Sequence, residues 1–181
     1  MIDRSNEQVY VPDDGSIELA GPSRSYGFEA KTSLRVNRYL NFNSGFTQVI
    51  KAFRGTAPRT YVDSAPHLVG NAAFMLADLY GFSGSLRYRH ISSYRLDGAG
   101  DPNLRASGFD LVDLSLNKKL DKFLDLNFAV DNLTDKRYYE TQNFFESRIR
   151  PGDLPAERIH ATPGYPITFT AGVTLRFGEK K

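Results

Sequence analysis

The chain has 181 residues, with 23 basic against 21 acidic side chains and a formal net charge of +2; that length suits one domain with a sizeable core, and so balanced a charge does not suggest nucleic acid as a partner. Cysteine is absent, which excludes disulfides and thiolate metal sites. Mean hydropathy is −0.42 and no stretch approaches the roughly 20 apolar residues of a spanning helix, so helical spanning is excluded, whereas strand spanning, which averages lipid-facing with lumen-facing residues, is not.

Met1 to Tyr10 has neither a basic n-region nor an apolar h-region and cannot serve as a secretory signal as it stands. The chain is accordingly expected to be either a soluble protein or a piece of an exported one. Residues 1–22 read as an N-terminal loop or the remnant of a preceding strand.

From residue 23 the pattern is alternation of apolar and polar side chains, the signature of strands with two different faces. Phe28, Ala30, Leu34 and Val36 oppose Glu29, Lys31, Ser33 and Arg35; after a tight turn at Asn37 and Arg38, Leu40, Phe42, Phe46 and Ile50 keep one phase through Phe53. A polar, proline-bearing stretch, Arg54 to Pro66, interrupts. Leu68 to Leu76 is a less regular strand, with Gly70 and Ala72 offering little side chain. Phe82, Leu86 and Tyr88 then alternate with Ser83, Ser85, Arg87 and Arg89. Beyond the loop Asp97 to Gly108 come Phe109 to Asn117, with Val112, Leu114 and Leu116 in phase, and, after a lysine-rich turn, Phe123 to Asp131, with Leu124, Leu126, Phe128 and Val130 in phase. Asn132 to Pro166 reads as a long irregular segment, and Ile167 to Phe177 as the last strand. No helical period is sustained.

The connections run short, long, short, long, short, very long, which places every tight turn at one end of the sheet. The expected fold is therefore all-β: an antiparallel up-and-down transmembrane β-barrel segment of about seven strands over 23–177, with one face toward lipid and the other toward a wet interior, and a polar tail at 178–181. Ten Tyr and 13 Phe suit strands and interfacial girdles.

Three stretches carry a family likeness. RSYGFEAKTSLRVNRYLNFNSGFT (Arg24 to Thr47) contains Tyr-Gly-hydrophobic-Glu ahead of a hairpin, VDNLTDKRYYE (Val130 to Glu140) has the form NLxDxxY, and HATPGYPITFTAGVTLRF (His160 to Phe177) has the form PGxPRxxxxGxxxxF with Ile167 in place of arginine. With these, Ser23 to Phe177 resembles the C-terminal quarter or so of the barrel of a TonB-dependent outer-membrane receptor. The resemblance implies location in the bacterial outer membrane and uptake of ferric siderophores or similar scarce solutes. It also implies several partners: membrane lipid, the remainder of a barrel of roughly 22 strands, a plug, and the energy-coupling TonB complex acting through that plug. Lacking a plug and ending four residues past Phe177, the chain is expected to be a truncated reading frame or an excised fragment. FRGTAP (Phe53 to Pro58) and DPNL (Asp101 to Leu104) are imperfect likenesses of the motifs that flank a histidine in haem receptors.

Binding rather than bond chemistry is expected, with no catalytic residue, cofactor or metal. His67, His90 and His160 are far apart in sequence without ligand spacing, and Ser85, His90 and Asp113 form no convincing triad. Arg87, Arg89, Asp113, Asp125, Asn127 and Asp131 share the polar phase and are candidate lumen-facing residues, Arg87 and Arg89 belonging to a basic stripe that would attract an anionic chelate. Candidate cargo contacts in the long loop are Tyr138, Tyr139, Phe144, Phe145, Arg148, Arg150 and Arg158. The alternative is a soluble all-β ligand-binding module, whose apolar phase would be a dry core.

Overall fold

The computed structural model describes residues 1–6, 8–11, 15–19, 21–55 and 59–177; the polar tail expected at 178–181 lies outside them. In chain order the strands are β1 (Ile2–Arg4), β2 (Gln8–Val11), β3 (Ser16–Leu19), β4 (Ser23–Arg35), β5 (Leu40–Arg54), β6 (Thr60–Tyr61), β7 (Leu68–Leu79), β8 (Phe82–Ile91), β9 (Tyr94–Arg95), β10 (Arg105–Ala106), β11 (Phe109–Lys119), β12 (Leu124–Asp131), β13 (Tyr139–Ser147), β14 (Ala156–Pro163) and β15 (Thr168–Leu175). One antiparallel sheet runs β1-β4-β5-β7-β8-β11-β12-β15, with β6 added to β5. The seven strands expected from alternation are thus neighbours in sequence order. Among the described residues nothing pairs its two edges, so the sheet is open.

Register turns the alternation into two faces. One cross-strand row, Leu34↔Phe42↔Phe74↔Leu86↔Leu114↔Val130↔Phe169, crosses all seven strands and is apolar throughout. On the opposite face Arg35↔Asn41↔Met75↔Ser85↔Ser115↔Ala129↔Thr170 crosses the same strands with mostly polar or small side chains. The apolar face has almost no protein cover: Leu34 is 54% exposed, Phe74 46%, Leu86 44% and Phe169 65%, although Val130 is buried. A soluble module would have buried this face, because each large apolar side chain left in water forgoes about 1.5–3 kcal/mol of transfer energy. Cross-strand aromatic pairs reinforce the face, Phe42 with Phe74 at 4.9 Å and Phe28 with Phe46 edge-on at 5.7 Å between ring centroids.

The tight turns have a local cause. Asn37 Oδ1 accepts the amides of Tyr39 and Leu40, and Asp121 Oδ1 those of Phe123 and Leu124, so a short side chain substitutes for backbone partners at each reversal.

Three segments depart from the sequence expectation. Alternation along β5 does not run unbroken to Phe53: Tyr26 pairs with Lys51 and Gly27 with Val49, leaving Ile50 as the extra residue of a bulge. The glycine of the Tyr-Gly-hydrophobic-Glu stretch is what permits it, since a Cβ on Gly27 would stand 2.0 Å from the Gln48 carbonyl oxygen. β7 extends regularly to Leu76 despite Gly70 and Ala72, because Gly70 lies opposite Phe46, where a small residue leaves room for the ring. Finally, Asn132 to Pro166 is not irregular: β13 and β14 form a hairpin within it, paired from Thr141↔Thr162 to Ser147↔Ala156.

The small dry core lies at the long-loop end. Phe109 and Leu111, on the same face as Arg87 and Arg89, are buried together with Leu96 and Ala106 of the loop above them.

Candidate functional site

On the polar face two acids are buried, each by arginine. Asp113 Oδ2 accepts from Arg87 Nε (3.3 Å) and Nη2 (3.1 Å), Arg89 Nε lies 3.3 Å from the same oxygen as an ion-pair contact, and Oδ1 accepts the Asn132 amide at 3.1 Å. Two guanidiniums on one carboxylate leave the cluster net positive. Asp125 is held by Arg176 through both carboxylate oxygens, the Nη1 to Oδ1 bond being 2.9 Å. Between them Asn117 donates to Asn127 (2.7 Å), which donates to Thr174 (2.9 Å), and Ser85 meets Ser115 (2.9 Å). The polar residues predicted to share a face are therefore hydrogen-bonded or, for Arg89, ion-paired along it, apart from exposed Asp131, which borders the cavity described below.

The long loop is tied shut at its base, and the two sequence motifs form the knot. Asn132, buried and at φ 52°, accepts the Lys136 amide on Oδ1 (2.9 Å) and donates through Nδ2 to the carbonyls of Lys136 (2.9 Å) and Tyr165 (3.0 Å). Asp135 Oδ1 accepts the Ile167 amide (3.2 Å), and the Gly164 amide donates to the Tyr138 carbonyl (2.9 Å). Tyr138, the last residue of NLxDxxY, lays its ring against Gly164 of the proline-glycine element so closely that a Cβ there would be 2.1 Å from the ring, and its centroid is 4.7 Å from that of Phe109. Burial first, then the Glu140 carboxylate, pushes the Tyr138 phenol above its ordinary range, so it stays a neutral donor to Glu140.

A second clamp joins two loops. Gln142, buried in β13, donates through Nε2 to the Ser107 carbonyl (3.1 Å) and accepts the Ser107 amide on Oε1 (3.3 Å), while Tyr94 donates to the Gln142 carbonyl (3.2 Å). Under the hairpin lies an open cavity of about 460 Å³, bordered by Arg89, Asp131, Asn132, Tyr138, Glu140 and Tyr165 among others.

The candidate cargo contacts divide. Tyr139, Arg148 and Arg150 are exposed and Phe144 is half-buried. Tyr138 is used in packing as described. Phe145 stacks on His160 at 3.9 Å between centroids, and Arg158 Nη1 donates to the carbonyls of Ser147 and Ala156, so these side chains brace the hairpin. Sequence reading missed Asn132, Gln142 and Gly164 as individual residues. The two motifs pointed to Asn132 and Gly164; nothing local pointed to Gln142.

Serine, histidine and aspartate do not assemble. His90 lies on the face opposite Ser85 and Asp113, 2.7 Å from Asp110, its cross-strand partner. Among the described residues no group of three His, Cys, Asp or Glu is placed to hold a metal. Of the two haem-like stretches, Thr56 to Pro58 lies outside the described residues, and Asp101 accepts the Asn103 amide in an exposed turn.

The sequence model of the family described as TonB dependent receptor-like, beta-barrel, matches residues 1–133. No curated protein sequence matches the chain. In fold the chain is similar to the ferric-catecholate import receptor Fiu of E. coli K12 in its closed form, with a TM-score of 0.70 and 22% identity over 97% of this chain and 24% of that one. It is also similar to the ferric yersiniabactin uptake receptor FyuA of Yersinia pestis (0.68, 18% identity, 90% of this chain and 25% of that one). A third likeness is to the siderophore receptor PiuA of Acinetobacter baumannii (0.67, 15% identity, 96% of this chain and 24% of that one). The chain spans about a quarter of the length of these receptors. With the family match covering most of its length and the open antiparallel sheet superposing on receptor barrels, the chain belongs to the TonB-dependent receptor-like β-barrel family.

Proposed function

We propose that this chain forms part of the wall and outer loops of a bacterial outer-membrane receptor that takes up ferric siderophores or comparably scarce solutes, working by binding and not by catalysis. The observation that carries this reading is the apolar row crossing seven strands, exposed at Leu34, Phe74, Leu86 and Phe169, opposite a face of arginine–carboxylate pairs. Lipid satisfies the first face; a watery or plug-filled lumen satisfies the second. Energy coupling would come through a plug working with the TonB complex, and the remaining strands of the barrel would meet the two open edges. The long connections, all at one end, would face outward, with Arg148 and Arg150 at the hairpin tip toward an anionic chelate.

Single-cysteine labelling tests the wall. In the chain inserted into bilayers, a water-soluble maleimide is expected to modify Asn127→Cys and to leave Phe128→Cys protected; equal labelling of the two would remove the lipid-facing assignment. The cargo reading has its own check. In an assembled receptor carrying this segment, R148E/R150E should weaken an anionic ferric chelate by roughly tenfold or more, because like charges then face each other. Unchanged affinity would make the hairpin a cover without a binding role.

A further inference from the structure

The short-turn end of the sheet places three cations on aromatic rings. Arg38 lies 4.5 Å above the Tyr39 ring in the β4–β5 turn, Lys118 of β11 lies 4.0 Å above Phe82 of β8, and Lys122 lies 4.8 Å above Phe123 in the β11–β12 turn. Lys118 and Phe82 are cross-strand partners, and Lys118 is also paired with Leu126, so this ammonium group stands on the apolar face at its lower border. Elsewhere arginines meet carboxylates: Arg24 with Asp3, Arg54 with Asp63, and Arg87 and Arg89 with Asp113. Among the described residues none of Arg38, Lys118 and Lys122 has a carboxylate partner. Among the described residues the rim also carries Arg35, Lys119 and Arg176 against Asp78, Asp121 and Asp125; Asp121 already accepts two backbone amides and Asp125 is held by Arg176.

A cation seated on a ring keeps donors for an anion: Lys118 Nζ also donates to the Tyr80 carbonyl at 2.7 Å, and an ammonium group has three N–H donors, so that bond does not exhaust it. At the border of an apolar band, the ring lies at the level of the acyl–headgroup boundary and the cation at the level of the phosphates. Resting on the membrane reading above, we propose that the short-turn rim binds anionic phospholipid headgroups, with Arg38, Lys118 and Lys122 as the phosphate contacts and Tyr39, Phe82 and Phe123 as their seats. Phosphatidylglycerol-type lipid is the occupant this rim fits: its phosphate carries a net negative charge, whereas a zwitterionic headgroup offsets its own phosphate.

The test dilutes the full chain from denaturant into vesicles of phosphatidylcholine alone, or of phosphatidylcholine with a minority of phosphatidylglycerol, and measures co-flotation at low and high salt. Phosphatidylglycerol should raise partitioning by roughly fivefold for each of the three cations, and high salt should remove the gain. R38Q/K118Q/K122Q should lose that gain while partitioning into phosphatidylcholine as the unmodified chain does, and R148Q/R150Q, which changes charge at the opposite end, should keep it. Equal partitioning of the unmodified chain into the two vesicles, a gain that survives the rim substitutions, or a gain lost equally with the tip substitutions would each overturn the rim site. Partitioning into neither vesicle would overturn the membrane reading along with it.

Discussion

Phe128→Arg is expected to destabilise the membrane-inserted chain by about 2–4 kcal/mol, the largest effect of any substitution on the apolar face, because it moves a guanidinium into hydrocarbon near mid-span. Phe128 stands midway along β12, paired with Leu116 on one side and Ala171 on the other, with its ring 6.4 Å from that of Phe169. Polar replacements of its neighbour Ala129, whose partners are Ser115 and Thr170 on the opposite face, should cost much less. Urea titration of the two variants in the same lipid decides the matter. Equal losses at 128 and 129 would mean that the two faces do not see different solvents.

Asn132→Ala should cost about 3–4 kcal/mol, and locally. The substitution removes three side-chain hydrogen bonds, each worth about 1 kcal/mol net, and puts alanine at a left-handed backbone position at a further cost of about 1 kcal/mol. The bonds removed are those holding Lys136 and Tyr165, the two ends of the hairpin's base. Hydrogen exchange in β13 and β14 should therefore accelerate while β11 and β12 keep their protection. Asn132→Gly should recover about 1 kcal/mol of the backbone part and none of the exchange protection. Retained protection in the hairpin of both variants would show that Tyr138, Asp135 and Gln142 hold it without Asn132.

Much of the sheet was legible because strand side chains alternate whatever the strand packs against. Leu124, Leu126, Phe128 and Val130 share a face by period alone, and the short-long order of the connections needs only a count along the chain. Exceptions arose where a distant backbone intrudes. Ile50 breaks its expected phase because Gly27 lets a bulge form against Gln48, a contact between strands that period cannot report. The hairpin β13–β14 escaped because Tyr139 to Ser147 is polar on both sides with two adjacent phenylalanines; as a loop element it has no single apolar face to reveal.

The same division holds for individual side chains. The sequence by itself determined the strand class, the two faces and the motifs, since each depends on neighbours within one strand or turn. Only the tertiary structure decided what those residues do. Tyr138 and Arg158 looked free to touch cargo, yet one ring lies on Gly164 and one guanidinium is taken by the carbonyls of Ser147 and Ala156. Asp113 read as a wetted lumen position and is instead buried beneath two arginines and the Asn132 amide. Gln142 carried no local signal because its partner, Ser107, is supplied by another loop. These roles depend on register and loop closure, which bring together groups tens of residues apart, and no pattern within a single strand encodes that meeting.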